Sequence, residues 1–212
     1  MTAEKSNAYP ATPTINYPDR KLSKLTTFLG IFVAIPILIV VGLLVGASFQ
    51  RGDTGGLTYQ YATAGVVILP TLLMILFRQK YPRWSFDWNL ALTRFVARVG
   101  AYLMLLRDEY PSTDEEQAVH LEITYPDAER DLNRWLPLVK WFLAIPHFFV
   151  LFFLGIAIMA CTVIAWFAIL FSGRYPSSLF DFVVGVFRWS LRVEAYALLL
   201  TTDRYPPFAL SQ

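Results

Sequence analysis

The chain has 212 residues, 56% hydrophobic and 16% charged, with a formal net charge of +2 and a mean hydropathy of +0.46. That apolar share exceeds what a water-soluble domain of this length keeps in solution, so the class is integral membrane, and the small net charge excludes a broad basic field for nucleic acid. A single cysteine, Cys161, lies inside an apolar run, which excludes an internal disulfide or a cysteine metal cluster and reads as lipid-facing or core packing.

Met1 to Pro18 is polar and proline-punctuated and lacks an apolar stretch beside a small-residue cleavage site, so no secretory signal is expected, and residues 1–14 read as a mobile tail. Residues 15–111 then form a first membrane repeat. Leu25 to Phe49, introduced by Arg20, Lys21 and Lys24, is long enough to cross a bilayer core of about 30 Å and is predicted as a span kinked at Pro36. Gln50 to Tyr61 is predicted as a polar turn, and Arg51-Gly52-Asp53 within it reads as turn chemistry rather than a recognition tripeptide. Residues 62–77 give a second, shorter span ending at Arg78 and Lys80. Basic residues flank both open ends of this hairpin, which assigns those ends to the cytoplasm.

Phe86 to Leu106 is apolar except for Asp87, Arg94, Arg98 and Tyr102, which fall within about 80° of arc on a helix. Arginines at mid-membrane cost about 2.5–3.5 kcal/mol each, which favours an amphipathic interfacial helix over a buried third span. Residues 112–118 form an acidic linker, read as solvated rather than metal-binding. Val119, Leu121, Ile123 and Tyr125 alternate with polar residues as a short strand, and Ile15 and Tyr17 offer it a partner on the cytoplasmic face. Asp127 is placed to cap a turn over Ala128 to Arg134.

Residues 119–208 form the second repeat. Trp135 to Phe171 is broken only by Lys140 and His147 and is longer than one span requires, so two spans are predicted, over about 135–154 and 156–171, turning near Gly155. Lys140 is near enough to the start to snorkel toward headgroups. Phe180 to Leu200 repeats the amphipathic helix with Asp181, Arg188, Arg192 and Tyr196.

The two repeats share ordered anchors. Tyr17-Pro18-Asp19 returns as Tyr125-Pro126-Asp127, Ala34-Ile35-Pro36 as Ala144-Ile145-Pro146, and Tyr81-Pro82 as Tyr175-Pro176. Arg94, Arg98-Val99 and Ala101-Tyr102 return 94 positions later as Arg188, Arg192-Val193 and Ala195-Tyr196. A duplicated unit packed about a pseudo-twofold axis follows. The predicted fold is therefore an all-α integral membrane protein of two tandem helical hairpins, four transmembrane helices in all. An amphipathic interfacial helix follows each hairpin, and a short strand pair lies on the cytoplasmic face.

No catalytic residue, metal site or cofactor is expected. The histidines, His120 and His147, form no metal-spaced pair, and no phosphate loop or nucleophile elbow is present. His147 follows Pro146 and is read as a donor to the carbonyl which that proline frees, with haem or pigment ligation as the alternative. Arg94, Arg98, Arg188 and Arg192 have two readings: gripping anionic lipid headgroups, or pairing across the copies with Asp87 and Asp181.

The succession Arg-Tyr-Pro, Phe-Asp, Arg, Arg-Val, Ala-Tyr, Leu-Leu and Asp-Arg-Tyr-Pro-Pro-Phe over 174–208, with Trp135-Leu136-Pro137-Leu138 and Ala144-Ile145-Pro146-His147, resembles the bacterial membrane family catalogued as domain of unknown function 4389. The first copy departs from it, with Lys80 for Arg174 and Ile37 for His147. The resemblance implies a bacterial inner-membrane protein with no assigned activity. The expected function is a non-enzymatic accessory or scaffold subunit that touches membrane lipids and packs against a larger membrane complex. A lipid-handling or transport component is the alternative, and pigment or haem contact through His147 a third reading.

Overall fold

A computed structural model describes residues 9–211 apart from 19, 46, 52–56, 62, 114 and 116. Five helices and four strands occur among the described residues: β1 Ala11–Ile15, α1 Lys24–Val45, β2 Ala47–Arg51, β3 Leu57–Tyr61, α2 Thr63–Arg78, α3 Arg83–Leu103, β4 Val119–Ile123, α4 Leu136–Ser172 and α5 Ser177–Ala197.

The four-span, two-hairpin fold expected from the sequence is not what forms. Among the described residues, α4 alone is long and apolar enough to cross a membrane as one helix. Its 37 residues run unbroken through Gly155, where two spans, 135–154 and 156–171, were expected. A turn there would free several backbone donors and acceptors amid apolar side chains, whereas one glycine inside a helix costs only about 1 kcal/mol. At about 1.5 Å per residue α4 is about 55 Å long. It closes on Gly173 in the left-handed conformation, φ 74°, whose amide bonds the Ile169 carbonyl.

The span expected over 25–49 is also altered. The helix stops at Val45, and it bends by 53° between Lys24–Gly30 and Phe32–Gly42. The bend lies about one turn before Pro36, which lacks the amide that would bond the Phe32 carbonyl. The segment predicted as a polar turn holds β2 and β3, paired antiparallel from Ala47↔Tyr61 to Arg51↔Leu57, and Gly52, Asp53, Gly55 and Gly56 lie outside the described residues. In place of the span expected over 62–77, α2 carries Pro70 and has an apolar stretch of only Ile68–Arg78, about 16 Å against a core of about 30 Å.

Helices expected over 86–106 and 180–200 are α3 and α5, both starting and ending about three residues earlier. Their C-terminal limits follow from Leu105, φ 58°, and Leu200, φ 56°, left-handed residues that cannot continue a right-handed helix. Residues 9–14 do not belong to a loose tail, since β1 begins at Ala11 and pairs antiparallel with β4 from Ala11↔Ile123 to Ile15↔Val119. β1 and β4 both alternate buried and exposed residues, as a strand with one covered face requires.

The molecule is layered. Helix α4 packs along α5, α5 carries β1 on its other side, and α1 packs on α3 and α4. The main core joins Ala11, Ile15, Leu121 and Ile123 of the strands to Val183, Val184, Phe187 and Leu191 of α5 and to Ile158, Ala165 and Ile169 of α4. Two smaller clusters flank it, Ala34, Ile37, Phe95, Val99 and Tyr102 in the first half and Ala144, Trp189, Val193, Tyr196 and Ala197 in the second.

Candidate functional site

All four stripe arginines bond backbone carbonyls. Arg94 Nε donates to Leu121 O at 2.8 Å, and Arg188 Nε to Pro13 O at 3.5 Å. Arg98 donates to Ser112 O at 2.8 Å, while Arg192 donates to Ala209 O at 3.4 Å and to Ser211 O at 2.8 Å. Asp87 and Asp181 are exposed, and among the described residues no ion pair joins either to an arginine of the opposite copy. The stripe therefore grips polypeptide, the strands and the segments after α3 and α5.

These contacts obey the duplication. Pro13 and Leu121 are the central partners of the β1–β4 ladder and are related by the same offset of 108 that relates Tyr17 to Tyr125. Each strand is thus held by the arginine of the other copy. The same exchange recurs in the tyrosines: Tyr17 donates to the Tyr175 carbonyl and Tyr125 to the Tyr81 carbonyl, and their rings meet Phe180 and Phe86 edge-on at 4.9 and 5.1 Å. Swapped, reciprocal contacts of this kind define an isologous interface. At the α3–α5 crossing Thr93 Oγ1 donates to Glu194 at 3.3 Å. Burial pushes the Glu194 carboxyl up to about 6, with the Thr93 bond working against the rise.

The second half holds two polar groups that the sequence reading placed elsewhere. Lys140 does not reach toward headgroups: it is wholly buried, donates to Thr202 O at 2.8 Å, lies 2.8 Å from Asp203 Oδ1 and sits 5.1 Å over the Tyr196 ring. His147 is likewise fully buried, and its partner is Trp189 rather than the carbonyl freed by Pro146. The indole can only donate, so His147 Nδ1 accepts at 3.1 Å and Nε2 carries the proton, buried without a partner. Phe208 stacks on the imidazole at 4.0 Å. A ring in that tautomer and enclosure turns no lone pair toward an outside metal.

The first half answers each of these positions differently. Ile37 and Phe95 occupy the places of His147 and Trp189, so an apolar pair replaces a hydrogen-bonded one. Gly30 stands where the second copy has Lys140, and the Asp203 counterpart, Asp108, bonds Arg20 at 2.9 Å and the Ser23 amide at 3.3 Å. Asp203 bonds the equivalent amide, that of Asn133. These two aspartates, repeated 95 positions apart, hold the chain that leads into α1 and α4. Their recurrence as Asp-x-Tyr-Pro, in Asp108-Glu109-Tyr110-Pro111 and Asp203-Arg204-Tyr205-Pro206, was the signal for them.

Among the described residues no three or more His, Cys, Asp or Glu side chains converge as a metal site. No curated protein and no solved structure matches the chain. The family model described as Domain of unknown function (DUF4389) matches residues 135–209, the stretch that contains Lys140, His147, Arg188, Arg192 and Asp203. The likeness to that family therefore lies in the second repeat.

Proposed function

We propose that this chain is a non-enzymatic accessory or scaffold subunit of a larger bacterial inner-membrane complex, in contact with lipid and with both termini on the cytoplasmic side. The observation that carries this reading is the uncovered surface of α4. Phe142, Phe149, Phe152, Phe153, Met159 and Phe171 are between 54% and 83% exposed along one helix. A contiguous apolar surface of that extent marks a membrane or protein interface. The polar side chains contrast with it, because the stripe arginines, Lys140 and His147 are engaged within the chain. Placement of both termini on one side is supported by Tyr9, which donates to Arg204 O at 3.1 Å, and by Arg188, which reaches both Pro13 and Leu210 carbonyls.

A lipid-handling role has one observation in its favour, a cavity of about 490 Å³ lined by Arg188, Arg192, Arg204 and Tyr9, which suits an anionic group. Extraction in native nanodiscs with mass spectrometry of co-migrating species separates the two. The scaffold reading expects a stoichiometric protein partner that is lost in a Phe149→Ser/Phe153→Ser variant. A monodisperse chain carrying stoichiometric anionic lipid and no protein overturns it in favour of lipid handling.

A further inference from the structure

The two halves build the same shell around one point and fill it differently. In the second half the shell is the Asp203 carboxylate, the Thr202 carbonyl and the face of Tyr196, and the Lys140 ammonium occupies it. The duplication places Asp108, Arg107 and Tyr102 at the corresponding positions of the first half, with Gly30 in place of the lysine. The side chain is gone and a cavity of about 30 Å³ remains, lined by Gly30, Thr26, Thr27, Tyr102, Arg107 and Asp108. That is room enough for a water- or ammonium-sized group.

Two observations mark the cavity as a site rather than a packing gap. The Tyr102 ring is 4% exposed, and its hydroxyl is buried with no hydrogen-bond partner. A Cβ built on Gly30 lies 3.6 Å from that hydroxyl oxygen, so the oxygen faces the vacated space. Asp108 supplies the negative charge, and its present cation, Arg20, is 68% exposed and approaches from the surface side. Arg107 lines the cavity too: its NH2 donates to Asn16 O at 2.6 Å, and its buried Nε has no hydrogen-bond partner.

We propose that the first half binds a primary ammonium group in this cavity, with the Asp108 carboxylate and Tyr102 hydroxyl as acceptors and the Tyr102 ring as its cation–π face. The ammonium comes from a free small amine or from an aminophospholipid headgroup, and it does in the first copy what Lys140 does in the second. The inference stands independently of the scaffold reading.

The test is thermal unfolding of the full chain in detergent, titrated with methylammonium chloride at ionic strength held constant with sodium chloride. The wild type shows a saturable rise in melting temperature that tetramethylammonium, too large for the cavity, does not reproduce. Gly30→Lys abolishes the response, because the chain then supplies its own ammonium, and Tyr102→Phe weakens methylammonium affinity about tenfold. Should Gly30→Lys not fold, Tyr102→Phe and Asp108→Asn carry the same comparison. Nanodiscs of phosphatidylethanolamine against phosphatidylcholine identify the source: stabilisation by the former alone, lost in the variants, assigns a lipid headgroup, and response to methylammonium alone assigns a free amine. A response shared with tetramethylammonium, one unchanged by all the variants, or none to either probe overturns the proposal.

Discussion

In the second half a helix of 37 residues runs without interruption, whereas in the first half the corresponding stretch is divided into α1 and α2 by the β2–β3 hairpin. The anchors place the division: Val45 corresponds to Gly155 through the prolines at 36 and 146, and Thr63 to Ala157 through those at 82 and 176. Gly155 has no atom within 4 Å of where a Cβ would lie, so the point of the second copy that corresponds to the division is open. The inserted residues lengthen the first copy without touching the shared frame of α3, α5, β1 and β4. The buried polar groups teach a second lesson. His147 with Trp189 and Lys140 with Asp203 sit where the first half has Ile37 with Phe95 and Gly30 with Asp108. In the first half both members of the His147–Trp189 pair are replaced, so neither the indole donor nor the imidazole acceptor is stranded there.

The largest effect expected from this contrast is at the buried ion pair. Lys140→Met leaves Asp203 without its cation and lowers stability by about 3 kcal/mol in chemical denaturation. Arg20→Met, at the exposed counterpart, costs under about 1 kcal/mol. Equal losses would erase the distinction between the halves.

The arginine exchange sharpens the symmetry. Arg94→Gln and Arg188→Gln each remove a charged donor to a strand carbonyl and cost about 2 kcal/mol apiece, with hydrogen exchange accelerating across both β1 and β4. Loss of protection in only one strand would break the reciprocal arrangement.

A smaller term sits at the imidazole. Trp189→Phe strands the His147 acceptor and costs about 1.5 kcal/mol, while the double change His147→Ile with Trp189→Phe reproduces the first half's pair. A double-mutant cycle reads a coupling of about 1 kcal/mol; additive losses would show the two positions to be independent.

The least of these effects is the pH response of Glu194. Its folded-state value, about 6, is raised above the unfolded one, so the protonated carboxyl favours the fold. That stability is present below about 4.5 and is lost as pH rises through about 6, by about 1 kcal/mol after allowing for its partial exposure. Melting curves of Glu194→Gln lack that fall between pH 4 and 7.

Much of the frame was legible in the chain. The alternation over Val119 to Tyr125 marked β4, and the repeated arginines marked a polar face on α3 and α5, where lipid headgroups or the opposite aspartates were expected rather than the strand carbonyls they bond. The register was hidden: Tyr17 and Ile15 suggested a partner nearer Pro18, but arginine bonds to Pro13 and Leu121 centre the ladder earlier. Helix count failed for a physical reason. Length and hydropathy say how much apolar chain there is, while whether it turns depends on residues able to satisfy freed backbone groups, and none flank Gly155. Asp108 and Asp203 repeat in the chain, but their partners, Ser23, Asn133 and Lys140, are distant in sequence, so nothing local gave them a role.

The central claim is that the uncovered apolar surface of α4 is embedded in a bilayer. It is tested by replacing Cys161 with Ser and scanning single cysteines at positions 149, 153, 159 and 163 of the full chain in proteoliposomes with a membrane-impermeant maleimide, with positions 129 and 204 as exposed references. The account predicts that the four α4 positions stay unlabelled while the references react; labelling of α4 as fast as the references would contradict it.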